Sequence, residues 1–165
     1  MNYSLRSTLL ISLLIGWHSS LTAAQWYNEQ FVSYFIAEVK IDDQGPINRL
    51  AVTCDQNNRD SLYLRLALNR PPHNRRESYT IESRIDIGQQ KFMVDFVYDN
   101  QQHPYLRSAS QLNSQLIAAL KRGYRLTLQW QESNATTTLK TNLNRSYRAI
   151  RAIERKCSTE QTTNN

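Results

Sequence analysis

Leu62 to Leu68 reads LYLRLAL. Leu62, Leu64, Leu66 and Leu68 alternate with Tyr63, Arg65 and Ala67. Successive side chains of a strand point to opposite faces, so this period of two predicts a strand with its leucines in a core. Just upstream, Leu50, Val52 and Cys54 alternate with Ala51, Thr53 and Asp55, which predicts a second strand with Cys54 on its core face. The polar run Gln56 to Asp60 (QNNRD) suits the hairpin turn between them.

Working outward, Phe31 to Lys40 (FVSYFIAEVK) is rich in aromatic and β-branched residues and predicts another strand, ended by a turn at Gln44, Gly45 and Pro46. Two prolines make Arg70 to Arg76 (RPPHNRR) a loop, because proline cannot donate to a ladder. Tyr79 to Ile87 and Phe92 to Tyr98 both alternate, and Gly88, Gln89 and Gln90 form the turn between them. Asp99 to Pro104 (DNQQHP) reads as a polar loop. The period then changes. Leu112, Leu116 and Leu120, with Ile117 beside them, mark one face of a helix. Ser108 or Ser110 is the expected cap, Lys121 and Arg122 suit the C-terminal dipole, and Gly123 stops it. Tyr124 to Trp130 and Thr136 to Leu139 return to strand, with Asn134 and Ala135 at their turn. A last helix is expected from about Asn144, its cap, to Cys157. The tail Ser158 to Asn165 is polar and is expected to be disordered. About seven strands and two short helices predict a mainly β domain, an antiparallel sandwich or a partly open barrel.

At the other end, Arg6 precedes the apolar run Leu9 to Trp17, and Thr22, Ala23 and Ala24 supply a small-x-small site. That is the layout of a signal peptide, too short in its apolar part to span a bilayer. Residues 1–24 are therefore expected to be removed, leaving residues 25–157 as one β-rich domain without stable membrane insertion. The chain of 165 residues carries a net charge of +6, and its cations are 20 Lys and Arg, mostly Arg. Arginine prefers bidentate pairing with carboxylates and phosphates.

Cys54 and Cys157 are the two cysteines. An even count in an exported chain predicts a disulfide. It would close a loop of about 100 residues, worth up to about 4.7 kcal/mol by chain entropy. Ile150, Ile153 and Cys157 share one face of the last helix, and Arg148, Arg151 and Arg155 share the opposite one. The bridge would thus tie the buried face of this helix to the core face of a strand.

The candidate binding residues are cationic. Arg148, Arg151 and Arg155, with Arg145 at their edge, could form an anion- or partner-binding stripe, or a solvated helix face. Arg70, Arg75 and Arg76 form a second cluster on the proline-rich loop. Asp86 and Asp95 could act as paired carboxylates, though exposure or pairing with Arg84 explains them better. His73 and His103 sit in polar loops without partners at ligand spacing. No nucleophile elbow, Gly-rich phosphate loop or metal motif is present in the sequence, so no catalytic residue, metal or cofactor is expected. The aromatics Trp26, Tyr27, Phe31, Tyr34 and Phe35 could pack a core or offer an edge for strand addition. Asn134-Ala135-Thr136 and Asn144-Arg145-Ser146 match the glycosylation pattern.

A resemblance adds to this. LAVTC (Leu50 to Cys54), SLYLRL (Ser61 to Leu66), ESRIDIG (Glu82 to Gly88), QLIAALKRGYRLTL (Gln115 to Leu128) and SYRAIRAIERKC (Ser146 to Cys157) follow one another in an order similar to small exported bacterial proteins. The chain resembles the periplasmic type VI secretion-associated TagO/VasI group and the invasion-associated locus B family. The resemblance implies a non-enzymatic β-sandwich accessory protein of the bacterial envelope, periplasmic or secreted. An envelope or secreted protein is then the expected partner. A secreted effector or inhibitor that meets an anionic polymer or a host or competitor protein through its Arg surfaces is the alternative. Export argues against nucleic acid, despite basic residues beside aromatics at Tyr124-Arg125 and Tyr147-Arg148.

Overall fold

The computed structural model describes residues 25–30, 34–41, 47–55, 58–69, 80–99, 105–132 and 135–159. The residues of the expected signal peptide, of the turn expected at Gln44 to Pro46 and of the loop expected at Arg70 to Arg76 lie outside them, as do Phe31, His103, Asn134 and residues 160–165.

Nine antiparallel strands form one sheet: β1 (Trp26–Gln30), β2 (Tyr34–Lys40), β3 (Ile47–Asp55), β4 (Asn58–Leu68), β5 (Thr80–Ile87), β6 (Gln90–Asp99), β7 (Tyr105–Ser108), β8 (Arg125–Glu132) and β9 (Ala135–Asn142). Their spatial order is β1-β2-β3-β4-β7-β6-β5-β8-β9. Helices α1 (Ser114–Arg122) and α2 (Ser146–Thr159) complete the described chain. Of the two expected architectures, the single curled sheet is the partly open barrel. Its two edges meet at one corner, where Trp26 N–H donates to Asn144 O at 3.3 Å and Trp26 Nε1–H donates to Asn142 O at 3.4 Å. Among the described residues no helix is long and apolar enough to cross a membrane.

The alternation in β4 does what it predicts. Leu62, Leu64, Leu66 and Leu68 are buried, and Tyr63, Arg65 and Ala67 are partly exposed. The register places Leu66 opposite Leu50, Leu64 opposite Val52 and Leu62 opposite Cys54. β5 and β6 repeat this logic, with Ile81, Ile85, Ile87, Phe96 and Tyr98 in the same core. Their two-residue turn runs through Gly88 at φ 61°, a left-handed conformation that glycine adopts without a Cβ clash.

Several expectations are corrected. The turn predicted across Gln56 to Asp60 is shorter, because β4 begins at Asn58 and a ladder irregularity between Cys54 and Asp55 absorbs the offset. Two strands went unpredicted. β1 (WYNEQ) has little apolar pattern and takes its place by pairing with β2, while β7 spans only four residues. Ser108 is in β7 and does not cap α1; its hydroxyl accepts from Leu64 N–H at 3.1 Å and donates to Ser110 O at 2.9 Å. Ser110 is not the cap either. Asn113 is, with Oδ1 accepting from Leu116 N–H at 2.8 Å. α2 starts at Ser146, two residues after the expected cap Asn144, because Arg145 takes φ 64° and breaks the helical path. At its far end α2 continues through Ser158 and Thr159, so the first tail residues are helical rather than disordered.

Helix α2 packs against β1, β2, β3, β4 and α1. Ala149, Ile150, Ile153 and Cys157 face the core, and Cys157 is bonded to Cys54 with 6.4 Å between Cα atoms. The bridge joins the terminal helix to the core face of β3, as the sequence predicts.

Candidate basic binding surface

The outward side of α2 carries Arg148, Arg151 and Arg155, all exposed, with Arg145 exposed at the helix start. Two covalently and electrostatically fixed points hold this face in place. One is the Cys54–Cys157 bridge. The other is Lys121 on α1, whose Nζ lies 2.9 and 3.0 Å from the two carboxylate oxygens of Glu154. Ser146 adds a buried link between the helices, its hydroxyl donating to Leu120 O at 2.7 Å. The residues that face outward are therefore presented on a body that cannot rotate about its own axis.

Tyr147, 46% exposed, joins the row. Arg151 donates to its hydroxyl at 2.6 Å, and the guanidinium carbon lies 5.8 Å from the ring centroid. The bond to the hydroxyl holds this guanidinium at the end of the ring while leaving its other N–H groups for an anion. The i, i+4 spacing of Tyr147 and Arg151 is the sequence signal for this pair.

A second arginine–tyrosine arrangement lies on the outer face of the sheet. Arg65 stacks over Tyr105 at 3.7 Å and Arg107 over Tyr63 at 3.8 Å, and Arg65 and Arg107 are cross-strand neighbours of β4 and β7. Next to them is a cluster that sequence reasoning missed. Tyr27 donates a short hydrogen bond to Glu38, and Arg49 pairs with the same carboxylate at 3.1 Å. Glu38 is only 2% exposed. Burial first, then the bond to Glu38 and its negative charge, push the Tyr27 hydroxyl well above its ordinary pKa. The signal was available as a lone carboxylate inside the apolar run FVSYFIAEVK.

The two candidate carboxylates are not brought together. Asp86 faces Lys91 across the β5–β6 ladder and pairs with Arg84 at 3.2 Å, while Asp95 faces Glu82. Arg84 also donates to Gln129 Oε1 at 2.5 Å. Asp86 is thus occupied by the partner expected for it. Among the described residues no group of three or more His, Cys, Asp or Glu is arranged to hold a metal ion. Arg70, Arg75 and Arg76 lie outside the described residues.

The chain matches no protein-family model, and no curated protein or solved structure is significantly similar to it.

Proposed function

We propose that the chain is an exported, non-enzymatic binding protein of the bacterial envelope, acting by protein–protein contact through the basic face of α2. The carrying observation is the exposed row Arg148, Arg151 and Arg155 on a helix whose other face is bonded to the sheet through Cys157. A fixed cation row favours a partner with matching carboxylates, because the side-chain bodies are pre-positioned and less ordering entropy is lost on contact. The leader-like Arg6 to Ala24 and the formed disulfide support export. The resemblance to secretion- and invasion-associated proteins gives the proposed setting, an accessory role beside an envelope machine.

The hydrogen-bonded Arg151–Tyr147 pair favours a second reading, an effector or inhibitor that binds an anionic polymer. Mild crosslinking in native envelopes, with oxidised mature protein as bait, separates the two. The control bait carries Arg148→Ser, Arg151→Ser and Arg155→Ser. One dominant protein captured by the wild type and lost with the control is the expected outcome. Capture of acidic polymer that falls steeply with salt would favour the second reading. Equal capture by both baits would remove the α2 face from either. Fractionation tests export independently: a cytoplasmic protein retaining residues 1–24 would end that part of the proposal.

A further inference from the structure

Strand β6 has a longer neighbour on one flank than on the other. β5 pairs with it from Gln90 to Val97, but β7 pairs with it only from Phe96 to Asp99. Past that point the chain leaves the ladder. Ala109 N–H donates to Asp95 O at 2.7 Å, and Leu112 N–H then donates to Leu62 O on β4, also at 2.7 Å. The sheet therefore parts between β4 and β6, and residues 109–113 cross the gap to begin α1.

In an antiparallel ladder, alternate residues aim both backbone groups at one neighbour and then at the other. The two-residue turn makes Ile87 and Gln90 a hydrogen-bonded pair, so Gln90, Phe92 and Val94 use their backbone groups on β5. Lys91, Met93 and Asp95 aim theirs at the parted flank, as the bond accepted by Asp95 O confirms. Among the described residues no hydrogen bond reaches the Lys91 or Met93 backbone from that side. A groove of about 390 Å³ lies along the flank. Phe92, Val94, Leu112 and Leu116 give it an apolar floor, and Lys91 and Asp95 are its charged side chains. Phe92 and Val94 continue the core face of Phe96 and Tyr98 yet stay only partly buried, and Met93 is 72% exposed.

We propose that this flank of β6 accepts an extended peptide as an added antiparallel strand. Main-chain bonds to Lys91 and Met93 supply the docking geometry, and alternate side chains supply the choice of partner. Positions opposite Phe92 and Val94 point to the apolar floor, and the position opposite Met93 meets an exposed apolar side chain. Opposite charges across a ladder are favourable and like charges are not. Lys91 therefore selects an acidic residue, whereas Asp95 takes no part in the choice, because Ala109, whose N–H donates to Asp95 O, already holds the position opposite it. Read from its N-terminus, the partner segment is apolar, apolar, apolar, acidic, its first residue lying opposite Val94. The site is apart from the α2 face and does not depend on it.

The test uses the oxidised mature protein and the peptide acetyl-Val-Leu-Val-Glu-Ser, labelled at its C-terminus, with binding read by anisotropy and amide exchange by NMR. Saturable binding with slowed exchange at Lys91 and Met93 is expected. The charge-reversed peptide acetyl-Val-Leu-Val-Lys-Ser should bind about two- to fivefold more weakly, from one ladder pair changing sign. The variant Lys91→Glu, altering an exposed side chain only, should invert that preference. N-methylation of the central leucine should abolish binding, because it blocks the bond opposite Met93. Undetectable binding, equal affinity for both peptides, unchanged exchange at Lys91 and Met93, or full binding of the N-methylated peptide would each overturn the proposal.

Discussion

A buried carboxylate is costly unless its charge is matched, and Glu38 is matched twice, by the Tyr27 hydroxyl and by Arg49. The consequence at Tyr27 is directional. Its folded pKa is raised, so the folded state holds that proton more tightly than the unfolded chain does. The contribution is fully present below the unfolded tyrosine value of about 10 and is lost as pH rises beyond it. Urea midpoints measured across the alkaline range should therefore fall more steeply for the wild type than for Tyr27→Phe. Parallel curves would show that the Tyr27–Glu38 bond does not control this loss. The same scale explains what was hidden in the sequence. Glu38 was not singled out within its predicted strand, because alternation cannot report that both faces of that strand are covered. Ile36, Ala37, Glu38 and Val39 are all buried, so β2 carries no period of two.

Elements were legible where one face meets the core and the other meets water. β4, β5 and β6 satisfy that condition; the alternation finds their C-terminal ends closely, while β4 starts at Asn58 and β6 at Gln90, ahead of the pattern. So does α2, where Arg148, Arg151 and Arg155 remain outside and Ile150 and Ile153 inside. The start of α1 was misread because its apolar stripe continues upstream of its cap. Leu112 is buried, but it precedes Asn113 and contacts the core from extended chain. Asn113→Ala should cost about 1 kcal/mol in urea unfolding by removing the acceptor for Leu116 N–H. The stop at Gly123 was legible, and the structure adds a steric reason. A Cβ there would collide with the Ile87 side chain and lie 2.8 Å from Ala119 O and 2.9 Å from Leu143 Cδ1. Gly123→Ala should therefore destabilise by about 1–3 kcal/mol, despite the higher intrinsic helix propensity of alanine. A stability gain would mean that the β5–α1 contact relaxes freely.

For the whole molecule, the sequence established the strand-rich class and the bridge, but it could not show one sheet in place of two. That depended on β7, four residues long, which joins β4 to β6 and makes the two halves continuous. A segment so short leaves almost no periodic signal. The bridge across 103 positions ties the second half of this fold to the first. Cys54→Ala with Cys157→Ala should lower the unfolding free energy by about 2–4 kcal/mol. Matching denaturation midpoints for the double variant and the oxidised wild type would refute that. The triple arginine variant of α2, in contrast, should keep the wild-type midpoint, since its side chains are exposed. A large drop would make the stripe a structural feature and undercut its proposed contact role.

The corner where Trp26 meets Asn142 and Asn144 also sets an order in time. A ribosome delivers Trp26 long before its partners exist. The first strand must wait, unclasped, through the making of the entire sheet. Only when the β9–α2 junction arrives can the seam shut, and only then can the last helix bring Cys157 to Cys54. A nascent chain of this protein is thus an open trough until its final turns emerge, with the core exposed to whatever guards unfinished polypeptides. A chain cut short before α2 would carry all nine described strands and still lack the helix that packs on β1 to β4 and the cysteine that locks it there.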